Sequence, residues 1–434
     1  MTNPTRPPLR IREAYAFFTP LILMTELNMI SKSAIHAFLA RGETPGPSLA
    51  AFNTAFTCYY TLTSATEITV ALSLSYLKSR TDLLHLIKFM VLVLSLPLLL
   101  IAATAVTPMG DWFYGELFSL SRQAIEEAKL SAAILMLSAP VLLARGTAFA
   151  LLMLNRRTLV ITRSTLVRLA SIVPSLLVWP LLLDSAAAVG AAALVTCMAA
   201  ETLYAWCYAW QDFLALAPAQ APPSLMALWR FSWPLALNNS AEMGTVFIIN
   251  VFLGRLEQAE MTIAAFGVVH GLAGLLMAPL RNLAQSGQTL TASRADARVM
   301  LRFSVQIVLF MALAAALIFY TPLNEAVLRT IMGLDDELVK TCAPAMLLVT
   351  GLAFGWGFAS LFRGLLSRAR LTRALAVTGL MRLTTAALIG TAVFWYSDLN
   401  GAVLGLAAWI ASYAVEAAYT GGRLVQLGWY VEAK

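Results

Sequence analysis

Apolar runs of about twenty residues or more, separated by short polar or proline-containing stretches, recur along the whole chain. They fall near 13–40, 48–77, 82–107, 128–153, 158–183, 186–211, 226–253, 259–290, 299–321, 338–366, 371–396 and 401–428. At a rise of about 1.5 Å per residue, each run crosses a hydrocarbon core of about 30 Å as a helix. Backbone polar groups in lipid have to be satisfied within their own segment, and the alternating pattern of barrel strands is absent. The pattern therefore predicts an all-α polytopic membrane protein of about twelve transmembrane helices.

The second half of the pattern repeats the first, displaced by 214 positions. Phe17-Phe18-Thr19-Pro20-Leu21 returns as Phe231-Ser232-Trp233-Pro234-Leu235, and Phe38-Leu39-Ala40-Arg41 as Phe252-Leu253-Gly254-Arg255. Ser79-Arg80-Thr81-Asp82 returns as Ser293-Arg294-Ala295-Asp296, and Thr107-Pro108 as Thr321-Pro322. Arg168 matches Arg382, while Glu201 and Tyr204 match Glu416 and Tyr419 after a one-residue slip. Six spans per copy is an even number, so both copies enter the membrane in the same sense and the repeats are parallel. This division gives an N-terminal six-helix lobe over 1–214, a Pro/Ala linker over 215–225 whose prolines interrupt the helix, and a C-terminal six-helix lobe over 226–434. A duplicated membrane domain of this kind is the architecture of a secondary transporter.

Composition agrees: 59% of residues are hydrophobic and 12% charged, about half the charge of an ordinary soluble chain. The formal net charge of +7 does not point to a nucleic-acid partner, because the basic residues follow the membrane boundaries. Arg10 and Arg12 precede the first span, Lys78 and Arg80 follow the second, Arg156 and Arg157 the fourth, Arg294 and Arg298 the eighth, Arg368 and Arg370 the tenth. Alternate loops hold Glu43, Asp111, Glu116, Glu257, Asp335 and Asp336 with fewer basic residues. The positive-inside bias then places both termini in the cytoplasm and the protein in the plasma membrane, here a bacterial inner membrane. The first run exceeds a signal-peptide core and is expected to stay in the mature protein.

Ionisable residues inside spans are costly, about 2.5–3.5 kcal/mol each at mid-membrane, so each is expected to be paired, solvated or functional. Arg168 and Glu201 flank the turn at Asp184 at similar depth, as Arg382 and Glu416 flank the turn at Asp398; these are expected to form two structural ion pairs. The first two spans of each copy break the symmetry. Glu67 aligns with Arg281, Glu26 with Ser240, and Glu242 with Asn28. With Lys32, Asn238, Asn239 and His270 these residues form the candidate substrate- and ion-binding set. Glu26 and Glu242 read either as buried neutral carboxyls or as carriers of a proton or cation. Lys32 and Arg281 read as countercharges for an anion or as neutralisers of Glu26 and Glu67. Arg145 and Arg363 are expected to snorkel or pair, and Pro20 and Pro234 to kink or hinge their spans.

Enzyme signals are missing. There is no phosphate-binding GxxxxGK[ST] loop, and neither HExxH nor CxxC occurs. Cys58, Cys197, Cys207 and Cys342 lack metal-ligand spacing and read as packing residues. The expectation is a non-enzymatic protein without metal or cofactor, driven by H+, Na+ or the gradient of its own small-molecule substrate.

Two parallel six-helix halves with unmatched charges in spans one, two, seven and eight resemble the multidrug/oligosaccharidyl-lipid/polysaccharide (MOP) exporter superfamily and its MATE-like fold. The second half is similar to the progressive ankylosis transporter family in Phe231-Ser232-Trp233-Pro234-Leu235-Ala236-Leu237, in Thr321-Pro322-Leu323-Asn324-Glu325 with Ile331-Met332-Gly333-Leu334-Asp335, and in Gly401-Ala402-Val403-Leu404-Gly405 with Glu416. The resemblance implies a monomer in membrane lipid that exports small polyvalent anions such as pyrophosphate, citrate or nucleotides by alternating access. Two other readings stay open: proton- or sodium-coupled efflux of cationic drugs through Glu26 or Glu242, and flipping of a lipid-linked oligosaccharide.

Overall fold

The computed structural model describes residues 9–39, 45–117, 120–217, 222–253, 255–256, 259–332, 334, 336–396 and 400–428. Among these residues there is no strand, and the helices fall into twelve membrane-length passes, as the hydropathy pattern predicts. Nine described helices are long and apolar enough to cross a membrane by length and composition.

In the first copy the passes are Ile11–Leu39, Pro45–Leu62 continued by Ile68–Tyr76, Arg80–Val106, Arg122–Leu154, Thr158–Leu181 and Ala186–Leu214. In the second they are Leu225–Leu253, Ala259–Met277 continued by Asn282–Leu290, Arg294–Phe319, Asp336–Met346 continued by Val349–Arg368, Arg373–Phe394 and Gly401–Gln426.

Irregularities repeat as faithfully as the helices. The second span is interrupted by a tight 3-10 turn at Ser64–Glu67 and the eighth by one at Ala278–Arg281, again 214 positions apart. Ser79 and Ser293 cap the third and ninth spans, each accepting from the backbone N–H three residues on, Asp82 or Asp296. Asp82 accepts in turn from the N–H groups of Lys78 and Ser79, so polar first turns become part of the helix. The third, fourth and ninth spans consequently start two to six residues before their apolar runs do. Arg156 and Arg370 end the fourth and tenth spans with positive φ, 58° and 57°.

The chain folds as two compact units. One comprises Thr19–Ser232; the other comprises Trp233–Lys434 together with Met1–Phe18. The boundary falls at the same place in both copies, just before Pro20 in the first span and Pro234 in the seventh. Within the C-terminal unit the first helix is tied by Leu9, whose N–H donates to Asp296 Oδ1 at 2.8 Å, and by Tyr15 and Phe18, which set their ring edges on Phe303. Small residues let helices approach closely: a Cβ on Gly364 would lie 2.1 Å from the carbonyl oxygen of Ala284, so the tenth span meets the eighth backbone to backbone.

Cys197 and Cys342 are buried, Cys58 is half-buried and Cys207 is exposed, so packing accounts for the first three only.

Candidate functional site

Each unit contains a buried carboxylate held between two arginines. In the N-terminal unit Glu201, fully buried on the sixth span, lies 3.5 Å from Arg168 and 3.2 Å from Arg145, and accepts the Thr165 hydroxyl at 2.8 Å. In the C-terminal unit Glu416 lies 2.9 Å from Arg363 and 3.3 Å from Arg382. Arg168 and Arg382 face their glutamates across a helical hairpin, at the equal depth read from the sequence. Arg145 and Arg363 enter from the fourth and tenth spans and complete each group.

The C-terminal group is extended by residues with no counterpart in the first copy. Arg281, at the 3-10 turn of the eighth span, forms an ion pair with Glu242 of the seventh. Its side chain is 48% exposed, against 13% for Glu242. This pairing lies inside one unit: Glu242 sits on the neighbouring seventh span, within reach of the guanidinium. The carbon of the Arg281 guanidinium stands 5.5 Å from the centroid of Trp356, a cation–π contact.

Behind Trp356 an aromatic cluster follows. Trp356 stacks on Tyr413 with centroids 5.3 Å apart and interplanar angle 19°, and lies 5.5 Å from Trp409. His270 of the eighth span is 4.3 Å from Trp409 and 5.7 Å from Phe266. Arg382 stands over the Tyr413 ring at 5.2 Å from its centroid. Arg382 also donates to the Asn238 carbonyl oxygen, while Asn238 Nδ2 donates to the Leu375 carbonyl at 2.9 Å and to the Thr378 hydroxyl at 3.0 Å. Asn238 is thus fully buried and positions Arg382; Asn239 beside it is half-buried.

The sequence candidates separate by unit. Glu242, His270, Arg281 and Asn238 gather with Arg363, Arg382 and Glu416. Glu26, half-buried on the first span, and Glu67, exposed at the 3-10 turn of the second, belong to the N-terminal unit. Glu67 is within electrostatic reach of Arg145. The Lys32 side chain lies outside the described residues, as do Asp335 and Asp398. Among the described residues no group of three or more His, Cys, Asp or Glu is placed to hold a metal ion.

The charge count of the C-terminal cluster is uneven. Three guanidiniums, Arg281, Arg363 and Arg382, face two carboxylates, Glu242 and Glu416. Both carboxylates are engaged by arginine, and within this group of described residues the guanidiniums outnumber the carboxylates by one. The buried polar atoms of the cluster that have no hydrogen-bond partner among the described residues include Trp356 Nε1 and the Tyr413 hydroxyl, along with Arg363 Nε, Arg382 Nε and Asn238 Oδ1.

No protein-family model matches the chain, and no curated protein is similar to it in sequence. Solved structures do match along nearly the whole length. A MOP superfamily transporter from Pyrococcus furiosus superposes with a TM-score of 0.74 at 14% identity, over 96% of each chain. A eukaryotic MATE transporter gives 0.73 at 14% identity over 95% of each. The MATE transporter VcmN of Vibrio cholerae in its bent form gives 0.72 at 14% identity, over 97% of this chain and 98% of that one. The chain therefore has the twelve-helix fold of MATE-like MOP superfamily transporters, and the progressive ankylosis resemblance rests on the short sequence blocks alone.

Proposed function

We propose that the protein is a secondary transporter that moves small anions across the membrane by alternating access. The observation that carries this reading is the uneven cluster of the C-terminal unit. Its carboxylates are each closed by arginine, which leaves no free acid there for a cationic drug, while a half-exposed guanidinium and a surplus positive charge favour an anion. Charge-assisted contacts of this kind contribute about 1.5–3 kcal/mol each when buried. For the Pyrococcus furiosus transporter that shares this fold, a reverse polarity of the binding pocket suggests a different function, in keeping with one fold hosting several functions.

Polyvalent anions such as pyrophosphate, citrate or nucleotides remain the finer form of the proposal, with Lys32 as the second countercharge and export as the direction. Glu26, a half-buried carboxyl inside the first span, is the residue proposed to couple transport to H+ or Na+. The coincidence of the unit boundaries with Pro20 and Pro234 supports these prolines as the joints at which the first and seventh spans bend. A monomer in a bacterial inner membrane with both termini cytoplasmic completes the reading.

Uptake into proteoliposomes of a panel of labelled anions, cationic dyes and lipid-linked sugars tests it. Saturable flux of anions alone is expected. Dye flux that stops in Glu242→Gln would favour cationic efflux, and sugar-lipid movement would favour a flippase.

A further inference from the structure

The exposed stripe of the fifth span is apolar except at one position. Along Thr158–Val178 the exposed residues recur at helical spacing as Leu159, Arg163, Leu166, Ala170, Val173 and Leu177, while Ile161, Thr165, Arg168 and Ile172 are buried on the opposite side. An exposed apolar stripe on a membrane-spanning helix faces lipid, so Arg163 is a charge turned to lipid. Among the described residues no carboxylate pairs with it: Asp212 closes on Arg157 at 3.1 Å and Glu201 on Arg168 at 3.5 Å. The stripe repeats in register on the eleventh span, where Arg373, Val377, Leu380 and Thr384 are exposed at the positions of Leu159, Arg163, Leu166 and Ala170. The fold thus accepts valine where Arg163 stands, and the second copy keeps its arginine one turn nearer the start of the helix, about 6 Å further out. Packing does not require Arg163, and a charge at that depth is costly unless something meets it. Beside it on the sixth span are Tyr204 and Tyr208, with ring centroids 5.0 Å apart. Tyr204 lies at the depth of Arg163 around the turn at Asp184 and within electrostatic reach of the guanidinium. Tyr208 and Trp210 are exposed nearer the end of the same span. Tyrosine and tryptophan collect at the level of lipid headgroups, which places Arg163 at the inner edge of that layer.

We propose that Arg163 and Tyr204 hold the phosphodiester of one anionic phospholipid in the leaflet where the fifth span begins. The site is separate from the transport cluster and independent of which cargo is carried. The planar fork of Arg163 matches two phosphate oxygens, and the Tyr204 hydroxyl is placed to donate to the same group. The acyl chains then run along Leu166, Val173 and Leu177, exposed on the same stripe, with Leu203 exposed on the neighbouring span. The headgroup is anionic because Asp212 and Glu201 are taken by other arginines, which leaves the charge of Arg163 to be balanced by the lipid. A zwitterionic lipid would bring its own ammonium against the guanidinium.

The test uses the purified full-length chain in nanodiscs of phosphatidylcholine with a minor share of phosphatidylglycerol. Native mass spectrometry counts the lipids each variant retains, and heat-induced unfolding shows whether phosphatidylglycerol stabilises it. The native chain is expected to retain phosphatidylglycerol about tenfold or more over phosphatidylcholine, within the range of one charge-assisted contact, and to unfold at a higher temperature when it is present. Arg163→Val, which installs the residue of the second copy, should fold and lose that preference and that stabilisation. Tyr204→Phe, which keeps the ring and deletes the donor, should weaken the preference several-fold. Leu159→Arg combined with Arg163→Val keeps the net charge and moves the guanidinium to the place it has in the second copy; it should not restore retention. Undiminished preference in Arg163→Val overturns the proposal. Full recovery in the shifted variant does so as well, because any arginine near the headgroups would then suffice and Arg163 would merely snorkel. If Arg163→Val does not fold, Arg163→Gln, which keeps much of the side-chain length without the charge, reads the same preference, and its retention of phosphatidylglycerol at the native level is equally fatal.

Discussion

Glu416→Gln removes one negative charge from between two arginines and leaves the shape unchanged. The carboxylate now accepts from Arg363 at 2.9 Å and faces Arg382 at 3.3 Å, with Glu416 fully buried and Arg382 only 1% exposed. A charge-assisted contact is worth about 1.5–3 kcal/mol net and a neutral one about 0.5–1.5 kcal/mol, so exchanging two costs about 2–3 kcal/mol directly. Two guanidiniums also lose their countercharge in a low-dielectric interior, which brings the expected destabilisation to about 3–5 kcal/mol. Glu201→Gln should behave alike, since Glu201 has the same two-arginine setting and gains only the Thr165 hydroxyl, which donates to amide and carboxylate oxygens alike. Replacing Arg363, Arg382 and Glu416 together by leucine should cost less than Glu416→Gln alone, because no unpaired charge is left behind. Denaturant unfolding in mixed micelles, followed by tryptophan fluorescence, measures each. A Glu416→Gln loss below about 1 kcal/mol, or a triple variant less stable than the single one, would refute the view that these groups are charge-compensated struts.

Other outcomes follow from single contacts. Gly364→Ala should lower stability by about 1–3 kcal/mol or more by forcing the tenth span off the Ala284 carbonyl, whereas Gly271→Ala, with open space around its Cβ, should change it little; heat-induced unfolding of the two variants compares them directly. Pro234→Ala restores an N–H that can complete the helix and should slow transport while leaving substrate binding intact, read as a fall in turnover without a change in equilibrium affinity. At the exposed Arg329–Asp336 contact, hydrogen bonding and the neighbouring guanidinium hold the Asp336 carboxyl below its ordinary value. Its contribution is therefore present above the ordinary carboxylate range and lost as pH falls through the lowered value, so acid-dependent loosening of this segment in amide exchange should vanish in Asp336→Asn.

The helices and the repeat were legible because hydropathy and a fixed displacement of 214 survive in the sequence itself. Arg168 with Glu201 and Arg382 with Glu416 were legible as pairs because each flanks a hairpin turn at equal depth. Arg145 and Arg363 could not be matched in the same way. They are 218 positions apart, four more than the repeat, so alignment sets Arg145 against Ala359 and Arg363 against Phe149. One helical turn of displacement keeps both on the same face, and only the structure shows that they do the same work. Trp356, Trp409 and Tyr413 carried no signal, since aromatic residues in an apolar helix read alike whether they meet lipid, core or ligand. The pairing of Glu242 with Arg281 also stayed hidden, because it joins two spans whose charges the duplication does not repeat.

The central claim is that the surplus guanidinium of the C-terminal unit selects an anion. Initial-rate flux in proteoliposomes of Arg281→Gln, Glu242→Gln and the native chain, measured for labelled anions and cationic dyes under one imposed gradient, tests it most directly. The account predicts that Arg281→Gln lowers anion flux about tenfold or more, the equivalent of about 1.4 kcal/mol or more, while Glu242→Gln, which releases Arg281, leaves anion flux equal or higher. Normal anion flux in Arg281→Gln, or dye flux that Glu242→Gln abolishes, would contradict it.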